Sequence, residues 1–405
     1  MVELLAPAGN PEALEAAIAE GADAVYLGLK SFNARMRSSN FAWNQFEATV
    51  DVLHKRNKKI YVTVNTVVTE DEMERLYRFL AYLNNVGPDG IIVQDLGLIQ
   101  MAHKYFPQLK LHASTQLNIA SAKAANTMSR WGISRTVLAR ELSLEEIRDV
   151  HANTSCELEV FVHGALCVSE SGLCLFSSYL GGKSANRGMC TQACRRLYTA
   201  HEPEGDREGY FFSPADLQLI EYIPDLIQAG VASFKIEGRM KSIYYNSTVV
   251  KQYKRALDNY YSGNYEYNPD WLKELKTISH RQYSNGFYLG PTSEKDQNYE
   301  TGLSYSQTYR LVANVLEKVD TNKYKIQIRN KVYATETLEL VRPIGDAIKF
   351  KVENFLNTKN DEFQEYVNPN TIAIIETDVE MGPMDLIRIK LPEGQSDSDM
   401  DTSEF

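Results

Sequence analysis

A chain of 405 residues, 43% hydrophobic and 24% charged, has room for a large core and more than one domain. Its formal net charge is −10, and the last thirteen residues, "EGQSDSDMDTSEF", hold five acidic groups and no basic one, so the global basic signature of a dedicated nucleic-acid binder is missing. No apolar run approaches bilayer length, and "MVELLAPAGNPEA" lacks the basic-then-apolar pattern of a signal peptide; the expectation is a cytoplasmic protein with reduced thiols and no membrane partner.

Short β-type runs alternate with helical segments over the first 240 residues. Candidate strands fall at 3–7 (ELLAP), 24–28 (AVYLG), 59–65 (KIYVTVN), 90–95 (GIIVQD), 110–114 (KLHAS), 135–139 (RTVLA), 158–164 (LEVFVHG) and 233–238 (SFKIEG). Most are apolar on both faces, as parallel strands covered by helices are. Between them, Asn10 with Pro11 reads as a helix start, and Thr69/Glu72 and Ser143/Glu146 have capping-box spacing. Eight such units argue for an α/β fold of (β/α)8-barrel type over an open doubly wound sheet. The seventh-to-eighth connection, about 164–232, is a long insertion, and long insertions in compact domains are usually functional.

Residues 242–300 read as a helical, tyrosine-rich extension packed on the barrel, which completes a catalytic domain over 1–300. From about 303 the period changes to two: Tyr324, Ile326 and Ile328 alternate with Lys325, Gln327 and Arg329. A small β-barrel or sandwich domain is expected over 303–391, followed by a disordered acidic tail over 393–405.

In a (β/α)8 barrel the chemistry lies at the C-terminal strand ends, and here those ends are polar. Helix capping accounts for Asn10 and Ser114. It does not account for His112, Arg140, Glu141, His163, Glu237 and Arg239 around one rim. We expect an anion-tolerant pocket there, with His112, His163, Glu237 and Arg239 as catalytic groups and Asn65, Gln116, Arg140, Glu141 and Lys235 as substrate contacts. Alternation in "FKIEGR" puts Lys235, Glu237 and Arg239 on one face, and three charges in a buried strand need partners.

Four of the five cysteines, Cys167, Cys174, Cys190 and Cys194, lie within 28 residues of the insertion. A reducing compartment and an odd count argue against disulfides. Four thiolates suit an iron–sulfur cluster or a structural zinc, and spacing does not separate the two. Cys156, just before an apolar strand, reads as a core thiol. His163 precedes Cys167 by four residues, but nothing singles out a nucleophile, and neither a His-Glu-x-x-His nor a Gly-x-Ser-x-Gly motif is present.

The segments "LAPAGNPEALEAAIAEGADAVYLG", "VFVHGALCVSESGLC", "NRGMCTQACR", "SFKIEGRMKS" and "SHRQYSNGFYLG" resemble those of the collagenase-like peptidases of unassigned catalytic type. Within that family the chain is most similar to the bacterial tRNA hydroxylation branch, over residues 2 to about 390. The resemblance implies a barrel-like catalytic domain and a β-barrel appendage like that of translation factors. It implies a [4Fe–4S] cluster on Cys167, Cys174, Cys190 and Cys194, and oxygen-independent conversion of wobble uridine to 5-hydroxyuridine in tRNA. Prephenate as co-substrate and a paralogous partner chain belong to the same implication. The family's older description as collagenases makes proteolysis the alternative. Some relatives take a cluster ligand further downstream; here "SPADLQLIE" (213–221) and everything after Cys194 lack cysteine, leaving these four as the ligand set. Lys183, Arg187, Arg195, Arg196, Arg239 and Lys241 are the candidate phosphate contacts, with a flipped uridine entering the rim.

Overall fold

The computed structural model describes residues 1–203, 205–297, 299, 306–343 and 345–392. The expected tail at 393–405, and the junction between the two domains at 300–305, lie outside them. Strands and helices alternate strictly at first: β1 (Glu3–Pro7), α1 (Pro11–Ala19), β2 (Ala24–Gly28), α2 (Trp43–Lys55), β3 (Lys59–Val64), α3 (Met73–Val86), β4 (Gly90–Val93), α4 (Leu96–Tyr105), β5 (Leu111–Ala113), α5 (Ala122–Ser129), β6 (Ile133–Val137), α6 (Leu144–Ala152) and β7 (Glu157–Ala165). The local signals act as read. Asn10 accepts from the Ala13 N–H at 2.9 Å, and the Ser143/Glu146 box opens α6.

The insertion after β7 carries α7 (Phe176–Gly181), β8 (Tyr198–Glu202), β9 (Gly205–Gly209), β10 (Asp216–Gln218) and α8 (Ile223–Gln228). The eighth barrel strand is β11 (Ser233–Ile236). It pairs in parallel with β1 (Glu3↔Ser233) and with β7 (Ser233↔Glu159), which closes the ring. The open sheet is thereby excluded. Two further strands extend the sheet outside the ring: β10 runs antiparallel to the end of β7 and parallel to β12 (Tyr283–Ser284), which follows α9 (Ile243–Tyr261) and α10 (Pro269–Leu275). Three of the five tyrosines of α9, Tyr244, Tyr245 and Tyr253, are structural, being buried against the barrel. No helix among the described residues is long and apolar enough to cross a membrane.

The barrel interior holds ions. Arg135 Nη1 donates to Glu3 and lies 3.4 Å from Glu159, while Arg135 Nη2 meets Glu157 at 2.8 Å. Lys235 Nζ reaches the other oxygen of Glu159 at 2.7 Å. Glu3 also accepts from Tyr61 at 2.9 Å, Ser233 at 3.1 Å and Lys59 at 2.8 Å. Burial works to raise the Glu3 pKa, but Arg135 and Lys59 outweigh it and hold the carboxyl at about 2.

His112, expected at the rim, belongs to this interior layer. Its ring lies on Tyr61 at 4.8 Å, and a Cβ on Gly90 would come within 3.3 Å of Nε2. Burial, with Arg135 nearby, pushes its pKa well below the usual value, so it stays neutral.

The second domain comprises β13 (Tyr309–Asp320), β14 (Lys323–Ile328), β15 (Val332–Tyr333), β16 (Leu338–Val341), β17 (Ile348–Phe350), β18 (Phe355–Asn357), β19 (Glu362–Gln364), β20 (Tyr366–Val367), β21 (Ile372–Glu376) and β22 (Leu386–Lys390). Eight of these form one antiparallel sheet in the order β17-β16-β22-β13-β14-β21-β18-β19. Among the described residues no pair joins β17 to β19; the antiparallel β-rich appendage is present as expected. Tyr324, Ile326 and Ile328 fill its core as their alternation requires. Arg388 of β22 fastens this domain to the helical extension: it reaches Glu274 at 2.9 Å and Tyr244 Oη at 3.0 Å, and Glu339 of its own domain holds it at 3.1 Å.

Removing one member of a buried ion network strands the others. Glu159→Gln leaves Lys235 and Arg135 short of a negative charge and is expected to lower unfolding free energy by about 3–5 kcal/mol in urea titration. A loss below about 1 kcal/mol would mean that water already compensates those cations.

Candidate functional site

A cavity of about 130 Å³ opens at the C-terminal ends of the barrel strands. At about 10–15 Å³ per water-sized group it has room for roughly ten, the scale of a pyrimidine or a small organic acid. Its floor is the charged strand end of β11. Lys235, Glu237 and Arg239 all face it, as their spacing predicts. Each solves its burial differently. Lys235 pairs with Glu159 below, and its ammonium lies 4.5 Å from the Tyr26 ring centroid. Glu237 accepts from Arg35 at 2.9 Å. Burial would raise its pKa, but Arg35 overcomes this and keeps it ionised.

Among the described residues Arg239 meets no carboxylate. Its guanidinium donates to Thr63 Oγ1 (2.5 Å), Asn33 Oδ1 (2.6 Å) and Asn40 Oδ1 (3.1 Å). These neutral oxygens satisfy donors without cancelling the charge. Burial lowers the pKa only to about 10, so a cation persists in the floor at neutral pH.

The walls bring together other residues expected from sequence. Asn65 Nδ2 donates to Gln116 Oε1 at 2.8 Å, and Asn65 Oδ1 accepts from the Ala34 N–H at 3.0 Å. Arg140 stacks over Phe161 at 4.7 Å and donates to the Ala165 carbonyl at 3.2 Å.

All four clustered cysteines line the same cavity, and all are free thiols. The insertion is seated by close backbone approach at two glycines with positive φ. A Cβ on Gly172 would lie 2.2 Å from the Gln116 carbonyl oxygen, and one on Gly188 would lie 2.3 Å from that of Asn33. Burial raises the Cys194 pKa against the pull of Arg195. The donor chemistry, four thiols on one wall with no competing disulfide, fits a four-thiolate centre. Among the described residues no three His, Cys, Asp or Glu side chains already converge as a metal cage.

Three expected site residues lie elsewhere. His112 sits in the interior layer below the cavity. Glu141 is outside the cavity lining, although its neighbour Arg140 is in it. His163 faces away from the cavity into an aromatic cage of Tyr245, Tyr253 and Tyr283. The cause is a register shift between β7 and β11: Lys235 pairs with Phe161, but Ile236 pairs with His163. One extra residue reverses the inward–outward alternation, and Gly164 with φ 111° follows it. Two of the expected phosphate contacts are also spent internally. Arg187 binds Glu72 at 3.0 Å, and Arg195 donates to the Pro214 carbonyl at 2.7 Å.

The sequence reading missed Tyr26, Arg35, Thr63 and Phe161 in the lining, and Asn33 and Asn40 behind it. The segment "NARMRSSN" (33–40) was the available signal, being a polar loop with two arginines after a barrel strand.

Burial holds the pKa of His163 at about 3. Between about pH 6.5 and that value the unfolded chain binds a proton that the folded chain does not. Stability therefore falls with falling pH, by about 1.4 kcal/mol per unit from this group. His163→Gln is expected to flatten the urea midpoint against pH between 6.5 and 5 by one proton's worth; an unchanged slope would mean that His163 titrates in the folded state.

Comparison with known proteins follows the same two-part division. Residues 9–298 match peptidase family U32, and residues 307–388 match the family U32 C-terminal domain. The tRNA hydroxylation protein P1 of Bacillus subtilis is 34% identical over 401 residues, covering 96% of this chain and 92% of that protein. A 23S rRNA 5-hydroxycytidine synthase of Escherichia coli is 41% identical over 260 residues, 64% of this chain and 39% of that one. A collagenase of Porphyromonas gingivalis is 35% identical over 327 residues, 76% of this chain and 78% of that one. The chain belongs to peptidase family U32.

Proposed function

We propose that this protein hydroxylates tRNA, converting wobble uridine to 5-hydroxyuridine without molecular oxygen, with a [4Fe–4S] cluster held by Cys167, Cys174, Cys190 and Cys194. The observation that carries the reading is the meeting of four free thiols with a charged, base-sized cavity at a barrel mouth. RNA hydroxylation in the names of two relatives, covering 96% and 64% of this chain, supports it.

A bound cluster supplies one-electron chemistry. The chain's own groups do the rest. Asn65 and Gln116 offer amide donors and acceptors to the edge of a flipped base. Glu237, kept ionised by Arg35, can accept a proton from a reacting carbon or hydroxyl. Arg239 and Arg140 present cationic groups to an acidic co-substrate, and prephenate, a dicarboxylate, is the one that the family resemblance implies. A paralogous partner chain is part of the same reading.

Proteolysis is the weaker reading. It needs a nucleophile with an adjacent base, or a metal with an activated water. No histidine lies in the cavity lining among the described residues, and His163 is turned away from the thiols.

Protein purified without oxygen is expected to be brown, with about four iron atoms per chain. Cys167→Ser or Cys174→Ser should lose the iron and fail to restore 5-hydroxyuridine in tRNA of a deletion strain, read by nucleoside mass spectrometry. Colourless protein with one stoichiometric zinc would overturn the cluster, and unchanged tRNA in a strain lacking this gene and its paralogues would overturn the RNA assignment.

A further inference from the structure

The surface around the cavity mouth differs from the rest of the chain in two ways. The net charge of the chain is −10, yet residues 163–198 contain one acidic side chain, Glu170, against Lys183, Arg187, Arg195 and Arg196. Two of those cations are committed internally, as described above. Lys183 and Arg196 are exposed. Arg37, from the loop carrying Arg35, is also exposed and reaches this segment, donating to the Cys190 carbonyl at 3.5 Å.

The same segment also leaves large apolar side chains in water. Leu173, Leu175, Leu180 and Leu197 are exposed, and Tyr179 is 84% exposed, near the end of α7. Phe176, at the start of α7, packs with Phe212 at 5.4 Å and Tyr198 at 6.1 Å, so the helix is held while Tyr179 stands out. Lys183 lies just past the C-terminal end of α7, and its N–H bonds the Ser177 carbonyl. Arg196 follows the turn at 193–195 that packs on α7. An exposed ring, aliphatic contacts and point cations on one scaffold are what unstacked bases and their phosphates need. A protein partner would favour the leucines equally, but not the local reversal of charge.

We infer that this insertion surface is the docking site for a single-stranded RNA loop, with Tyr179 as the stacking platform and Lys183, Arg196 and Arg37 on the phosphates. The inference rests on the RNA-hydroxylation reading and locates its substrate. The loop lies across the mouth, so that one base enters while its neighbours stay outside on Tyr179 and the leucines.

The test is fluorescence anisotropy of the full chain, purified without oxygen, with a synthetic anticodon stem-loop bearing unmodified wobble uridine. Tyr179→Ala should weaken binding about tenfold and Tyr179→Phe should not. The Lys183→Ala/Arg196→Ala double variant should lower the slope of log affinity against log salt by about 0.7 per lost phosphate contact. Iron content and unfolding midpoint should match those of the parent in all three. Unchanged affinity and slope in the variants, with the parent binding and modifying tRNA, would overturn the docking site and leave the proposed function standing. A parent that binds no stem-loop and no tRNA would overturn both. A parent dimer that becomes monomeric in Tyr179→Ala with unchanged RNA affinity would reassign the surface to self-association and sink the inference.

Discussion

Everything at the mouth of this barrel stands on the ion network inside it. Glu159 is fully buried and touches both Lys235 and Arg135, and Arg135 also reaches Glu3. Those four charges sum to zero, which is the condition for placing any of them out of water. The network also spans the seam where β11 closes on β1 and β7, so ring closure and charge neutrality are satisfied by the same residues. With Lys235 held from below, the next two charges on the strand, Glu237 and Arg239, are carried up into the cavity floor. There the balance is broken: Glu237 is neutralised by Arg35, and Arg239 is left cationic among neutral oxygens. A barrel that has paid for neutrality in its interior can keep an unmatched charge where a ligand binds.

The frame was readable from sequence because periodicity and capping are local. Eight strands, their helices and the period-two second domain all follow from residues within ten or so of each other. Asn10, Ser143 and the alternation at Tyr324–Ile328 behave as their neighbours dictate. Six of the nine non-cysteine site residues reach the cavity for the same reason: they lie at strand ends, and strand ends converge. The cysteines were legible as a group because their density in one insertion is a compositional fact.

The errors came from non-local geometry. His163 sits on the inward parity of β7 by counting from Glu159 and Phe161, and only the pairing with β11 reveals the extra residue that turns it out. His112 does point inward, but depth along the barrel axis is set by strand stagger, which one sequence does not display. Arg187 looked like a phosphate ligand because its partner Glu72 lies 115 residues away in the chain, and Arg195 because its partner carbonyls come from the backbone, which carries no side-chain signal. Arg35 was overlooked for the mirror-image reason, since its importance comes from Glu237, on the opposite side of the barrel sequence.

The two tight glycine contacts tie the cysteine-rich insertion to the barrel. Gly188 settles against the carbonyl of Asn33, and Gly172 against that of Gln116. Both platforms lie just past barrel strands, β2 and β5. The placement of the four thiols is therefore inherited from backbone that carries no cysteine, and a side chain added at either glycine would displace them while leaving every sulfur intact.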